Sequence, residues 1–146
     1  MSIAFVFPGQ GAQSIGMGRE LAEAYPAAKA VFDEVDDALG EKLSAMIWDG
    51  DIETLTLTEN AQPALMATSM AAFRAMEAEG VGLDRASFVA GHSLGEYSAL
   101  AASGALGIAD AAELAARIIA GETDGYHASR HREGKRVLEV SERGRR

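Results

Sequence analysis

The chain of 146 residues contains no cysteine. Disulfides, thiolate metal sites and a cysteine nucleophile are therefore excluded, while the redox compartment stays open. Long apolar runs are also missing. No stretch approaches the ~18 residues that a membrane-spanning helix needs. The apolar start, Ile3–Phe7, is too short for a signal-peptide core and has no basic flank before it. These absences predict a soluble, cytoplasmic protein with no membrane partner. Basic side chains are scarce, 13 against 22 acidic ones, for a net charge of −9. The deficit is uneven: residues 1–116 hold 5 basic and 17 acidic side chains, and residues 117–146 hold 8 and 5. An acidic body argues against nucleic acid, which requires a basic face. The basic tail, with acids mixed through it, is too diffuse to reverse that.

What is present has α/β order. Ser2–Phe7 is a nearly continuous apolar run, as in a parallel strand buried on both faces. Pro8–Gly18 (PGQGAQSIGMG) is a glycine-rich loop. Helical spacing follows over Gly18–Tyr25 and Ala27–Leu39, with Pro26 suited to a helix start. Leu43–Trp48 and Ile52–Leu57 are short segments. Gln62–Glu79 predicts a long helix, with Thr58 or Asn60 as its cap. Ser87–Gly91 predicts a second buried strand, and helical spacing resumes over Gly95–Ala102 and from Ile108 to Ala120. After Gly121 only Val137–Val140 is apolar, with no sustained period, which predicts a poorly ordered tail. The order strand, loop, helices, strand, turn, helix predicts parallel strands with flanking helices.

The strongest chemical signal is Gly91-His92-Ser93-Leu94-Gly95, a G-x-S-x-G sequence between a predicted strand and a predicted helix. A serine at such a corner is held in strained backbone geometry with its hydroxyl pushed outward. Side chains two before and two after would collide, so glycine occupies both positions. The amide after the serine points into the same space at a helix start, where an oxyanion is stabilised. The bland alternative is a glycine-bounded turn with a capping serine. His92 is unsuited as a base for Ser93, because neighbours on a tight turn project to different sides; packing and hydrogen bonding behind the corner is the expected role. His127 and His131, spaced i, i+4, could form one side of a metal site, but no third ligand is evident and two solvated histidines are the simpler reading. No metal is expected.

Gly9-Gln10-Gly11 after the first strand invites a dinucleotide reading. That pattern fails, because Ser14 takes the third glycine position. In serine-hydrolase-like folds a second oxyanion donor comes from a loop after another strand. Flanking glycines would let the Gln10 N–H approach a substrate closely. A purely structural turn fits the spacing equally well.

Together these segments resemble one family. Phe5–Gln13 (FVFPGQGAQ) with Gly16-Met17-Gly18 resembles the opening of malonyl-CoA:acyl-carrier-protein transacylases. Gln62-Pro63-Ala64-Leu65 resembles their glutamine-proline helix start, and Gly91–Leu100 (GHSLGEYSAL) their nucleophile segment. The resemblance covers about residues 1–115. It implies an α/β fold: an incomplete α/β-hydrolase-like acyltransferase domain, parallel strands with flanking helices, lacking the small subdomain. Residues 1–116 would be that partial domain and 117–146 a tail outside the family pattern.

By this resemblance the chain is an [acyl-carrier-protein] S-malonyltransferase of fatty acid biosynthesis. Ser93 would take the malonyl group of malonyl-CoA as an ester and pass it to the phosphopantetheine thiol of acyl carrier protein. Backbone N–H groups of Gln10 and Leu94 would form the oxyanion hole. No cofactor is implied beyond the coenzyme A thioester substrate. The family binds the malonyl carboxylate with an arginine just before a glycine. Arg117 is the candidate, but the counted position falls on Ile118, and one residue of slip turns a helical side chain by ~100°. The family's downstream histidine base has no counterpart here. Similarity, periodicity and charge sign all change near Arg117. The expectation is a truncated or frame-shifted product, weakly active or inactive, which other reading frames of the encoding DNA would test. The alternative is a non-catalytic fragment that at most binds acyl carrier protein or coenzyme A. An esterase-type hydrolase is disfavoured by the Gln10 loop and Gln62-Pro63. Missing neighbours would leave strand edges open to self-association.

Overall fold

A computed structural model describes residues 3–117 and the backbone of residues 136–139. The first strand, β1 (Ile3–Phe7), leads through the glycine-rich loop into α1 (Arg19–Ala24) and α2 (Pro26–Leu39). Pro26 opens α2, where its missing N–H costs no helical bond, and Gly40 ends it at φ 66°. Two short helices follow, α3 (Leu43–Asp49) and α4 (Ile52–Thr56). Asp36 lies buried on α2 and holds α3 in place, accepting from the Ser44 amide at 2.9 Å and the Ser44 hydroxyl at 2.6 Å.

The long helix α5 runs over Thr58–Ala78 and begins a turn before the expected Gln62. Neither Thr58 nor Asn60 caps it. Leu57 stands at the N-cap, and the Asn60 side-chain amide instead donates to the Thr54 carbonyl at the end of α4. Pro63 therefore lies inside α5, in its second turn, where it removes the bond that an N–H there would give to the Glu59 carbonyl. A 3₁₀ turn over Leu83–Arg85 leads to β2 (Ala86–Gly91), then α6 (Gly95–Ala102) and α7 (Ile108–Arg117).

β1 and β2 are parallel neighbours, pairing Phe5 with Val89 and Phe7 with Gly91. This is the α/β order expected. The core lies under one face of the pair: Phe5, Phe7 and Val89 point into it, against Phe73 of α5. The Phe5 and Phe7 rings meet Phe73 edge-on, with centroids 5.1 and 6.3 Å away. Ala28, Val31, Phe32 and Val35 of α2 and Ala111, Ala112 and Ala115 of α7 complete it. The expectation of strands buried on both faces needs correction. Val6 is 73% exposed and Phe88 44%, because the described helices cover only the opposite face. An apolar run cannot by itself say whether its second covering layer belongs to the same chain.

Within residues 118–146, one short strand is described. Arg136–Glu139 forms β3, antiparallel to β2, with Val137 opposite Ala90 and Leu138 opposite Val89. An unpaired strand edge is a template for any extended segment, even one with a short apolar patch. The sheet order is β1-β2-β3. Among the described residues no helix is long and apolar enough to cross a membrane.

Candidate functional site

The site is the corner between β2 and α6. Gly91 ends the strand, Gly95 opens the helix, and three residues turn the chain between them. Ser93 sits at φ 53°, and it alone among the described non-glycine residues has positive φ. That conformation costs an L-residue about 1–2 kcal/mol and is kept only where the surroundings enforce it. Those surroundings are visible. A Cβ on Gly91 would run into the backbone of Gly95 and Glu96, and one on Gly95 into the Phe7 carbonyl. The two glycines thus let strand, corner and helix occupy one tight volume. Leu94 is buried and pins the turn into the core, while Ser93 is exposed.

The backbone hydrogen bonds leave a gap at the corner. His92 N–H donates to Phe7 O at 3.2 Å, Gly95 N–H to His92 O at 2.9 Å and Glu96 N–H to Ser93 O at 3.0 Å. The Leu94 amide is absent from that series. It lies immediately before α6, where the helix dipole favours negative charge.

The glycine-rich loop packs against this corner. A Cβ on Gly9 would stand 2.8 Å from His92 O and 3.5 Å from the Ser93 Cβ. Gln10 is thereby placed one residue from a contact with the corner. Gly11 at φ 113° turns the chain away, and its amide donates to Gln13 Oε1 at 2.9 Å. The loop's far end is tied to α3 by Gly16 N–H to Ile47 O at 2.8 Å and Trp48 Nε1–H to Met17 O at 3.2 Å.

Ser93, Leu94 and the Gly9–Gly11 turn are thus brought together. Arg117 lies on the last turn of α7, with its guanidinium 3.8 Å from Glu113 of the same helix. Ile118, His127 and His131 lie outside the described residues. His92 needs correction: it is exposed, with its Nδ1 3.2 Å from where a Cβ on Gly9 would stand. Chemically, the arrangement offers an exposed serine beside an amide at a helix start that has no acceptor among the described residues.

Residues 4–131 match the family model for the acyl transferase domain. The chain belongs to that family. The match runs beyond Arg117, the point where similarity was expected to stop. The malonyl CoA-acyl carrier protein transacylase of Bacillus subtilis strain 168 is 60% identical over 109 residues, covering 75% of this chain and 33% of that protein. Among solved structures, the acyl-carrier-protein-S-malonyltransferase of Bartonella henselae is 58% identical with a TM-score of 0.77, covering 80% of this chain and 37% of that one. A type II polyketide acyl-carrier protein in complex with its malonyl-transacylase includes a chain 42% identical, with a TM-score of 0.74. The chain therefore spans about a third of the length of these acyltransferase relatives.

Gln62, expected at a helix start and in a family segment, and Thr58, expected as a cap, have a further role. Both side chains reach Gln10, at 3.5 and 3.2 Å. Their i, i+4 spacing was the available signal, since it puts both on one helix face.

Proposed function

We propose that this chain is the nucleophile-bearing part of an [acyl-carrier-protein] S-malonyltransferase. Ser93 Oγ attacks the thioester carbonyl of malonyl-CoA and loses its proton to a base. The tetrahedral oxyanion accepts hydrogen bonds from the Leu94 and Gln10 amides, and coenzyme A leaves as the thiol with the proton that the base took from Ser93. The resulting serine ester is then attacked by the phosphopantetheine thiol of acyl carrier protein, which restores the hydroxyl. The observation that carries this reading is Ser93 at positive φ on a strand-to-helix corner, beside a Leu94 amide with no acceptor among the described residues. The names of the relatives support malonyl as the acyl group and acyl carrier protein as the acceptor.

A second reading has its own support. His92 is the one histidine among the described residues, and its place beside Ser93 on the turn does not suit a base. Without a base, a serine reacts orders of magnitude more slowly. On this reading the chain is a fragment that at most binds acyl carrier protein or coenzyme A. Arg117, paired with Glu113, is a poor candidate for the malonyl carboxylate and serves at most as a secondary contact. A time course of intact mass with malonyl-CoA separates the two. Slow addition of one malonyl group, lost in Ser93→Ala, supports the transferase; no addition supports the inert fragment.

A further inference from the structure

Gln10 sits between two glycines, Gly9 and Gly11, which is an unusual place for a backbone group that must point in one direction. Glycine has the most backbone freedom of any residue, so the chain on either side of Gln10 does not hold its amide in one direction. The far end of the loop is anchored on α3, but those bonds act at Gly16 and Met17, several residues away. Something nearer must fix the Gln10 amide. The backbone supplies nothing, because the bond that follows it belongs to Gly11 and Gln13.

The side chain supplies it. Gln10 Nε2 donates to Thr58 Oγ1 at 3.2 Å, and Gln62 Nε2 reaches Gln10 Oε1 at 3.5 Å. Thr58 and Gln62 are one helical turn apart on α5, so one rigid face meets both ends of the Gln10 amide. Gln62 is only 7% exposed, and its Oε1 is buried without a partner among the described residues. Burying an amide group that leaves an acceptor unsatisfied is destabilising. A packing role alone would be filled better by methionine or leucine.

We infer that Gln62 and Thr58 form a clamp that positions the Gln10 backbone amide through the Gln10 side chain. They are positioning residues, not catalytic ones, and the inference rests on the reading of Ser93 as the acylated residue. The clamp leaves the Gln10 side chain turned toward α5 and its backbone N–H available to the corner.

The test uses the full chain with Gln62→Met, Thr58→Val and Gln10→Ala, alone and combined. Gln10→Ala keeps the backbone amide and removes the handle. The first readout is amide hydrogen exchange in the Gly9–Gln13 segment, which needs no activity. It is expected to rise in each variant. The second is the rate of Ser93 acylation at saturating malonyl-CoA. Gln62→Met is expected to slow it roughly tenfold, below the ~10²–10³-fold cost of losing an oxyanion donor outright. The half-saturating concentration should hold. In the Gln10→Ala background, Gln62→Met should change neither readout further, because the handle it acts on is gone. Unchanged exchange in Gln62→Met, or an equal effect with and without the Gln10 side chain, overturns the clamp. If the unsubstituted chain is not acylated, the reading of Ser93 has failed, and the exchange measurements still decide whether the clamp exists.

Discussion

Replacing Ser93 by glycine should make the protein more stable, and replacing it by alanine should not. Ser93 holds φ 53° and its hydroxyl has no hydrogen-bond partner among the described residues. An L-residue in that region costs about 1–2 kcal/mol relative to glycine. Glycine gives back roughly 0.5–1 kcal/mol through the greater backbone entropy it loses on folding. The difference leaves Ser93→Gly stabilised by about 0.5–1 kcal/mol. Alanine keeps the Cβ and therefore the strain, so Ser93→Ala should stay within about 0.5 kcal/mol of the parent. At this chain length the glycine gain corresponds to a rise of about 1–4 °C in Tm. Thermal and urea unfolding of the three proteins, followed by circular dichroism, measure it. Acyl capture should vanish in both variants, so stability and function move apart at one residue. A destabilised Ser93→Gly, or equal gains in both variants, would refute the claim that the corner stores strain.

Three further outcomes follow from the packing. Gly95→Ala puts a Cβ into the Phe7 carbonyl, and neither backbone can yield easily; a loss of about 3 kcal/mol is expected. Gly104→Ala, at φ 75° with nothing within 4 Å, should cost only about 1 kcal/mol of strain, and similar losses in urea unfolding would contradict the crowding. Asp36→Ala removes the acceptor of the Ser44 amide and hydroxyl and should cost about 2–3 kcal/mol, against about 1 for Ser44→Ala. Asp51 caps α4, and hydrogen bonds from the Thr54 amide and hydroxyl hold its carboxyl below the ordinary value. Its contribution is present above the unfolded-state value and is lost as pH falls through the lowered one. A carboxyl NMR titration should place its midpoint below that of an unstructured aspartate and move it upward in Thr54→Val; an unshifted midpoint would remove the cap.

The corner was legible because its chemistry is local. Gly91, Ser93 and Gly95 lie within five residues, and the strand and helix around them carry their own patterns. The helix starting at Gly95 and the proline-opened α2 were legible for the same reason. What escaped depends on distant partners. Val6 and Phe88 are apolar like Phe5 and Val89, and only the placement of α5 and its neighbours decides which are covered. The early start of α5 comes from Asn60 bonding to α4 instead of capping its own helix. β3 forms because β2 has an edge to offer, which four residues of a basic tail cannot announce. Gln62 was visible as a residue but not as a contact, since its partner lies 52 positions away.

The most direct measurement is peptide mapping of the chain after incubation with malonyl-CoA. The expected result is a single malonyl ester on the peptide that contains Ser93, formed slowly and discharged by the thiol of acyl carrier protein. An adduct on another residue, or none beyond what Ser93→Ala shows, would contradict the assignment.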